Sequence, residues 1–214
     1  MRAAARNPLL KTIALVVAAL LATDGAWARL PASRFKPPLY IYRDAHDPQN
    51  LMAPDPVNHG APSGWMGDYR DLIMQADCKT NPHSGNSCIA ITYTANASKY
   101  AGWAGMIWQC PANNGGELDG GYDLTGARKL SFWARGEKGG EFIEAFKFGG
   151  TLGPYPDSGS TGIYRIALKK EWTYYEIDLT HCDTSYISGL FLWAASKFRN
   201  PRGMTFYLDD IKVE

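Results

Sequence analysis

No sign of charge dominates this sequence. Its 214 residues hold 22 Lys and Arg against 21 Asp and Glu. A chain so balanced exerts no long-range pull on nucleic acid or on an anionic membrane, which excludes a strongly basic nucleic-acid binder. Cysteine is scarce: Cys78, Cys88, Cys110 and Cys182 are all there is. They form no CxxC pair and have no His at ligand spacing beside them, so nothing points to zinc. Helical periodicity is missing too. No window repeats apolar residues at i, i+3 and i+4 between caps, apart from a run near the N-terminus. There is no Gly-x-Ser-x-Gly elbow, no HExxH and no glycine-rich loop opening a helix. His46, His59, His83 and His181 lie scattered in loops or beside turns. Nucleophile, metalloprotease and phosphate-loop chemistry therefore have no motif to stand on.

Turn formers and aromatics are abundant. There are 22 Gly and 13 Pro, with 7 Trp and 12 Tyr. Frequent turns among β-favouring aromatics predict an all-β chain. The first 28 residues stand apart. Arg2, Arg6 and Lys11 precede an apolar run, Thr12 to Ala22, and Ala26-Trp27-Ala28 offers small residues at the positions a signal peptidase reads. The run is shorter than the roughly 20 residues a spanning helix needs. We expect a signal peptide cleaved after Ala28, an uncleaved anchor being the other reading. The remaining chain carries 19 basic and 20 acidic residues, since Arg2, Arg6, Lys11 and Asp24 are removed, for a net charge of −1. It has no second run long enough to span a membrane. Export to periplasm or medium would place the cysteines in an oxidising space, where an even count implies disulfides. Of three possible pairings, we expect Cys78–Cys88, which bracket a loop-rich stretch, and Cys110–Cys182.

Residues 29–214 read as one domain with about ten short strands. Period-2 alternation marks Leu39–Asp44, Leu72–Cys78, Ser87–Ala95, Gly102–Cys110, Arg128–Arg135, Glu141–Phe148, Gly162–Leu168, Trp172–Leu179, Ile187–Ala195 and Met204–Val213. Gly, Pro, Asn and Asp clusters separate them, the pattern of a sandwich or jelly roll. Ala45–Gly64 and Pro111–Gly121 read as long loops, where function concentrates.

The second half carries a resemblance. Tyr122–Gly136 (YDLTGARKLSFWARG), Trp172–Leu179 (WTYYEIDL) and Thr205–Val213 (TFYLDDIKV) resemble, in order and spacing, strands of carbohydrate-binding modules in the galactose-binding-like superfamily. The first half is similar to secreted bacterial β-sandwich proteins. The resemblance implies a jelly-roll β-sandwich of two antiparallel sheets. It also implies a structural calcium ion, with Asp209 as one ligand and Asp44 the nearest candidate for the other, since calcium takes six to eight oxygens.

A sugar ring has an apolar face, which an aromatic ring covers, and a rim of hydroxyls, which polar side chains bond. Two clusters have that make-up: Trp65, Asp68, Tyr69 and Arg70, and Trp103, Trp108, Gln109, Asn113 and Asn114. Trp133, Arg135 and Lys147 are expected on an outer face, and Tyr155 and Asp157 on a loop rim. Trp172 and Trp193 are expected in the core, Trp65 and Trp103 on the surface. Glycoside hydrolysis would need two carboxylates, and Glu144 or Asp68 would be the acid. The expectation is an exported, non-catalytic, lectin-like protein that binds an oligosaccharide or polysaccharide and no nucleic acid. A glycan-active enzyme on the same fold and an envelope component with a protein partner are the alternatives.

Overall fold

The structure is a computed structural model that describes residues 35–50 and 62–214. The expected signal peptide and most of the proline-rich loop lie outside the described residues. Among these the structure holds eleven strands, one 3-10 turn at Tyr69–Asp71 and no α-helix. The strands are β1 (Leu39–Tyr42), β2 (Pro62–Gly67), β3 (Leu72–Cys78), β4 (Cys88–Tyr93), β5 (Trp103–Gln109), β6 (Lys129–Gly136), β7 (Phe142–Gly149), β8 (Ser160–Ala167), β9 (Thr173–Asp178), β10 (Gly189–Ser196) and β11 (Met204–Val213).

They form the expected all-β jelly-roll sandwich of two antiparallel sheets. One sheet runs β3-β4-β11-β6-β9, with β1 also pairing β11. The other runs β2-β5-β10-β7-β8. Alternation sends every second side chain into the space between them. Ile89, Ile91 and Tyr93 of β4, Leu130, Phe132 and Ala134 of β6, and Phe206 and Leu208 of β11 are buried on one side. Ala104, Met106 and Trp108 of β5, Ile143, Phe146 and Phe148 of β7, and Phe191, Trp193 and Ala195 of β10 meet them from the other. Phe132, Phe146 and Phe191 pack within 4.7–5.8 Å of one another at the centre. Trp193 meets Phe206 edge-on at 4.9 Å across the two sheets.

One strand was not visible in the alternation. Strand β2 was not expected: its first three residues fall in the stretch Ala45–Gly64 that reads as loop, and Pro62, Gly64 and Gly67 punctuate it. It is an edge strand, where a proline at the first position costs no ladder bond. Gly64 is required there: a Cβ would lie 2.0 Å from Ile107 Cγ2 on β5.

All four cysteines are free in the structure, so the two expected bridges are not formed. Cys78 and Cys88 are direct partners across β3 and β4, with the Cys88 thiol 3.6 Å from the Cys78 carbonyl. Cys110 is buried beside the Tyr122 hydroxyl, and burial pushes its thiol up. The Cys182 thiol turns to the Asp183 carbonyl at 3.7 Å.

Candidate functional site

The outer face of the five-stranded sheet is built from the residues out of phase with the core. The ladder registers align Met66, Gly105, Ala194, Ala145 and Tyr164 in one row across all five strands. The three central members are small. The next row is Gly64, Ile107, Leu192, Lys147 and Gly162. On the other side, Trp103 pairs with Ser196, whose hydroxyl donates to Glu144 at 2.5 Å. The face is thus a trough with an apolar floor. Trp103, 40% exposed, and Tyr164, 56% exposed, stand near its two ends. Three strand spacings separate them, or about 14 Å. Gly105 keeps the floor low: a Cβ there would come within 2.6 Å of the Trp193 carbonyl.

Loops close one side of the trough. Gln109 accepts from the Gly115 N–H at 2.8 Å, and the Tyr155 N–H donates to the Gly116 carbonyl. Asp157 ties the neighbouring turn, accepting from the N–H groups of Thr151 and Ser188 and from the Ser188 hydroxyl. Tyr155 is exposed on that rim, as expected, while Asp157 is spent on the fold.

Trp65 and Trp103, the two surface tryptophans of the sequence analysis, are both exposed, but they do not share a face. Trp65 pairs with Met106, a core residue, and so lies on the inner side at the edge of the sandwich. Trp103 is out of phase with Met106 and points outward. Trp108 is not a binding residue: it is 1% exposed and packs on Phe191. Gln109 and Asn114 are also buried. Asn114 accepts from the Leu118 N–H at 2.6 Å and shapes its own loop. Asn113 is exposed and its N–H donates to Ser63. Trp172 lies outside the main core: it is partly buried against the small cluster of Cys78, Cys88 and Tyr207, with its indole N–H on the Asn81 carbonyl.

Asp68 is buried rather than offered to a ligand. Its oxygens accept from the N–H groups of Lys99, Ala101 and Gly102 at 2.7–3.0 Å. Burial alone would raise its pKa, but these three donors and the Lys197 charge overcome it and hold the carboxyl below its usual range. A carboxylate so held is no general acid. Its effect on the site is indirect, because the loop it gathers leads into Trp103. Tyr69 and Arg70 are exposed on the adjoining 3-10 turn, with the Lys99 ammonium 5.1 Å above the Tyr69 ring.

Asp44 and Asp209 do not fit the calcium ion that the resemblance implies. Asp44 accepts from the N–H groups of Ala45 and Asn86 and from the Ser87 hydroxyl. Asp209 accepts from the N–H groups of His83, Ser84 and Asp210. Donors occupy the positions where a calcium site would present further oxygens. No group of three acidic, His or Cys side chains among the described residues is placed to hold a metal.

Comparison with known proteins bears on the fold alone. No protein-family model and no curated protein matches the chain. Among solved structures, the family 30 carbohydrate-binding module of a cellulosomal cellulase of Clostridium thermocellum superposes with a TM-score of 0.53 at 16% identity, covering 83% of this chain and 96% of the module. The family 11 carbohydrate-binding module of another cellulosomal cellulase of Clostridium thermocellum gives 0.45 at 15% identity, covering 71% and 82%. The jelly-roll architecture is therefore one found in carbohydrate-binding modules.

Proposed function

We propose that this chain is an exported, non-catalytic protein that binds an oligosaccharide or polysaccharide along the outer face of its five-stranded sheet. One observation carries the reading: the row Met66, Gly105, Ala194, Ala145 and Tyr164 lays a small-residue floor across five strands, with Trp103 and Tyr164 toward its ends. The floor admits a flat chain of sugar rings, and the two aromatics offer faces to their apolar C–H surfaces. Ser196, Glu144 and Lys147 supply hydroxyl-bonding groups on the same face. The module of the superposed fold is, by its name, part of a cellulase, which makes neutral β-linked glucans the first probes.

Shallow sites of this kind bind in the micromolar to millimolar range, roughly −4 to −8 kcal/mol. Calorimetry against soluble β-glucan and xylan tests the proposal. Trp103→Ala and Tyr164→Ala are each expected to weaken binding about tenfold, a loss of ~1.4 kcal/mol. Trp65→Ala, on the other side of the sheet, is expected to leave it unchanged. Binding that survives both trough variants, or falls only with Trp65→Ala, overturns the assignment.

A further inference from the structure

The near-zero net charge of the chain conceals a separation of charge between the two ends of the sandwich. The pairs Leu72–Tyr93, Trp103–Ser196, Phe142–Ala167 and Ala134–Thr173 bring the connections β2–β3, β4–β5, β6–β7, β8–β9 and β10–β11 to one end. Connections β4–β5, β6–β7, β8–β9 and β10–β11 carry Lys99, Lys138, Lys169, Lys170, Lys197, Arg199 and Arg202 against Glu137, Glu141 and Glu171. The 3-10 turn between β2 and β3 adds Arg70 and the buried Asp68 and Asp71. Glu141 is also buried and accepts from the Lys138 N–H at 2.7 Å.

The acids of this end are thus largely turned inward, and the cations are not. Among the described residues, none of the seven lysines and arginines of these four connections forms an ion pair. Lys197 faces the buried Asp68, and the other six are exposed. Only Glu137 and Glu171 are exposed against them. The opposite end has the reverse balance. Its connections β5–β6, β7–β8 and β9–β10 carry Glu117, Asp119, Asp123, Asp157 and Asp183 against Arg128 and His181.

Two aromatic side chains project from the basic end. Tyr100 is 95% exposed and Phe198 is 86% exposed, beside Lys99 and between Lys197 and Arg199. Their loops are built, not loose. The Lys197 N–H donates to the Gly102 carbonyl at 2.9 Å and sets the two loops side by side. Asp68 gathers the first loop. Asn200, buried under the second, accepts from the Phe142 N–H at 3.0 Å and donates to the Phe142 carbonyl at 2.8 Å. A phenyl ring held out in water between two cations gains by entering an apolar phase that is covered with negative charge. The cations are spread over four neighbouring loops around the two tips, an arrangement that suits a broad surface more than a single chain in a groove.

We propose that this end of the sandwich docks on an anionic lipid bilayer. Tyr100 and Phe198 enter the headgroup layer, and the surrounding lysines and arginines meet lipid phosphates while their stems lie along the interface. The acidic end is repelled and points away, so the charge separation also sets the orientation. The proposal does not rest on the trough, which lies on a sheet face and stays open.

The test uses residues 29–214, which hold all eleven strands and both sheets, so that the apolar run Thr12–Ala22 takes no part. Sedimentation compares vesicles of phosphatidylcholine with vesicles in which about a third of the lipid is phosphatidylglycerol. The anionic vesicles are expected to bind at least tenfold more tightly, and to release the protein as salt rises from about 0.05 to 0.5 M. The pair Arg199→Gln and Arg202→Gln is expected to weaken binding more than tenfold, at about fivefold per cation. The pair Tyr100→Ser and Phe198→Ser is expected to weaken it about tenfold with unchanged melting temperature. Leu118→Ser, an exposed apolar residue of the acidic end, is expected to have no effect. Equal binding to the two vesicle types, no binding to the anionic ones, or binding that survives both pairs of substitutions would each overturn the proposal. So would capture by heparin without vesicle binding, which would make the partner a soluble polyanion.

Discussion

Asp68 and Asp209 are both fully buried, yet their surroundings push them in opposite directions. Around Asp68, three backbone N–H groups and Lys197 outweigh burial and favour the charged form. Around Asp209, burial and the neighbouring Asp210 outweigh the N–H groups of Ser84, Asp210 and His83, and the carboxyl is raised to about 7. The roles follow. Asp68 gathers the loop in which Ala97, Tyr100 and Gly102 all take positive φ, and delivers Trp103 to the start of β5. Removing its carboxylate leaves three buried donors without an acceptor. In Asp68→Ala, the amides of Lys99, Ala101 and Gly102 are expected to exchange hydrogen on the order of tenfold faster, with core amides little changed. Unchanged protection at those three amides would show that the loop holds itself. None of this was legible in the sequence, because Asp68 finds its partners 31 to 34 positions downstream. The burial of Trp108 was legible. In GWAGMIWQC it shares the phase of Ala104 and Met106, opposite to Trp103.

Strands were read where alternation was strong and missed where the backbone needed glycine. Strands β3 and β11 begin and end where the alternation places them, and most others shift by only one or two residues. Strand β2 was hidden by the glycines that let it pack closely. The trough proposed to bind sugar was hidden for a related reason: the centre of its floor is glycine and alanine, which carry no chemical signal, and only register brings them into one row. The segment between β3 and β4 was read as a cysteine-bracketed loop, and it does more than turn. It crosses β11, tied by Asp209, Asp210 and Asp44, by Arg135 to the Thr80 carbonyl and by Trp172 to the Asn81 carbonyl. Cys88 is fully buried, with its thiol pushed up to about 12 by burial and by Cys78. A Cys88 thiolate is therefore scarce in the folded protein, and a Cys78–Cys88 bridge has to form before β4 is covered. Protein folded under oxidising conditions is expected to yield one cross-linked peptide containing both residues. Closing a loop of about ten residues would then stabilise it by ~3 kcal/mol on the chain-entropy relation. Protein folded reduced is expected to stay reduced when oxidant is added later. Peptide mapping of both preparations checks this, and rapid oxidation of the folded, reduced protein would contradict it.

At the scale of the whole molecule, the titrating groups set the pH at which the sandwich is most stable. Asp44, Asp68, Asp123, Asp178, Asp183 and Glu214 are all held below their usual range by hydrogen bonds and nearby cations. Their contribution is present above the unfolded carboxylate pKa near 4 and is lost as pH falls below it. Asp209 has the opposite sign. Its folded pKa, about 7, lies above the unfolded value, so the folded state holds an extra proton between them. That contribution is complete below about pH 4 and is lost as pH rises toward 7, with a ceiling on the order of 4 kcal/mol. The two trends meet on the mildly acidic side, and the melting temperature is expected to fall from pH 4.5 to pH 7.5. Asp209→Asn, which keeps one acceptor oxygen and removes the titration, is expected to flatten that slope. Because donors occupy the Asp209 and Asp44 oxygens, calcium or a chelator is expected to leave the slope as it is. A scan that is level across this range would show that the six-stranded sheet tolerates the Asp209 charge. A slope abolished by calcium would instead show that a cation reaches the carboxylates and displaces the loop donors from them.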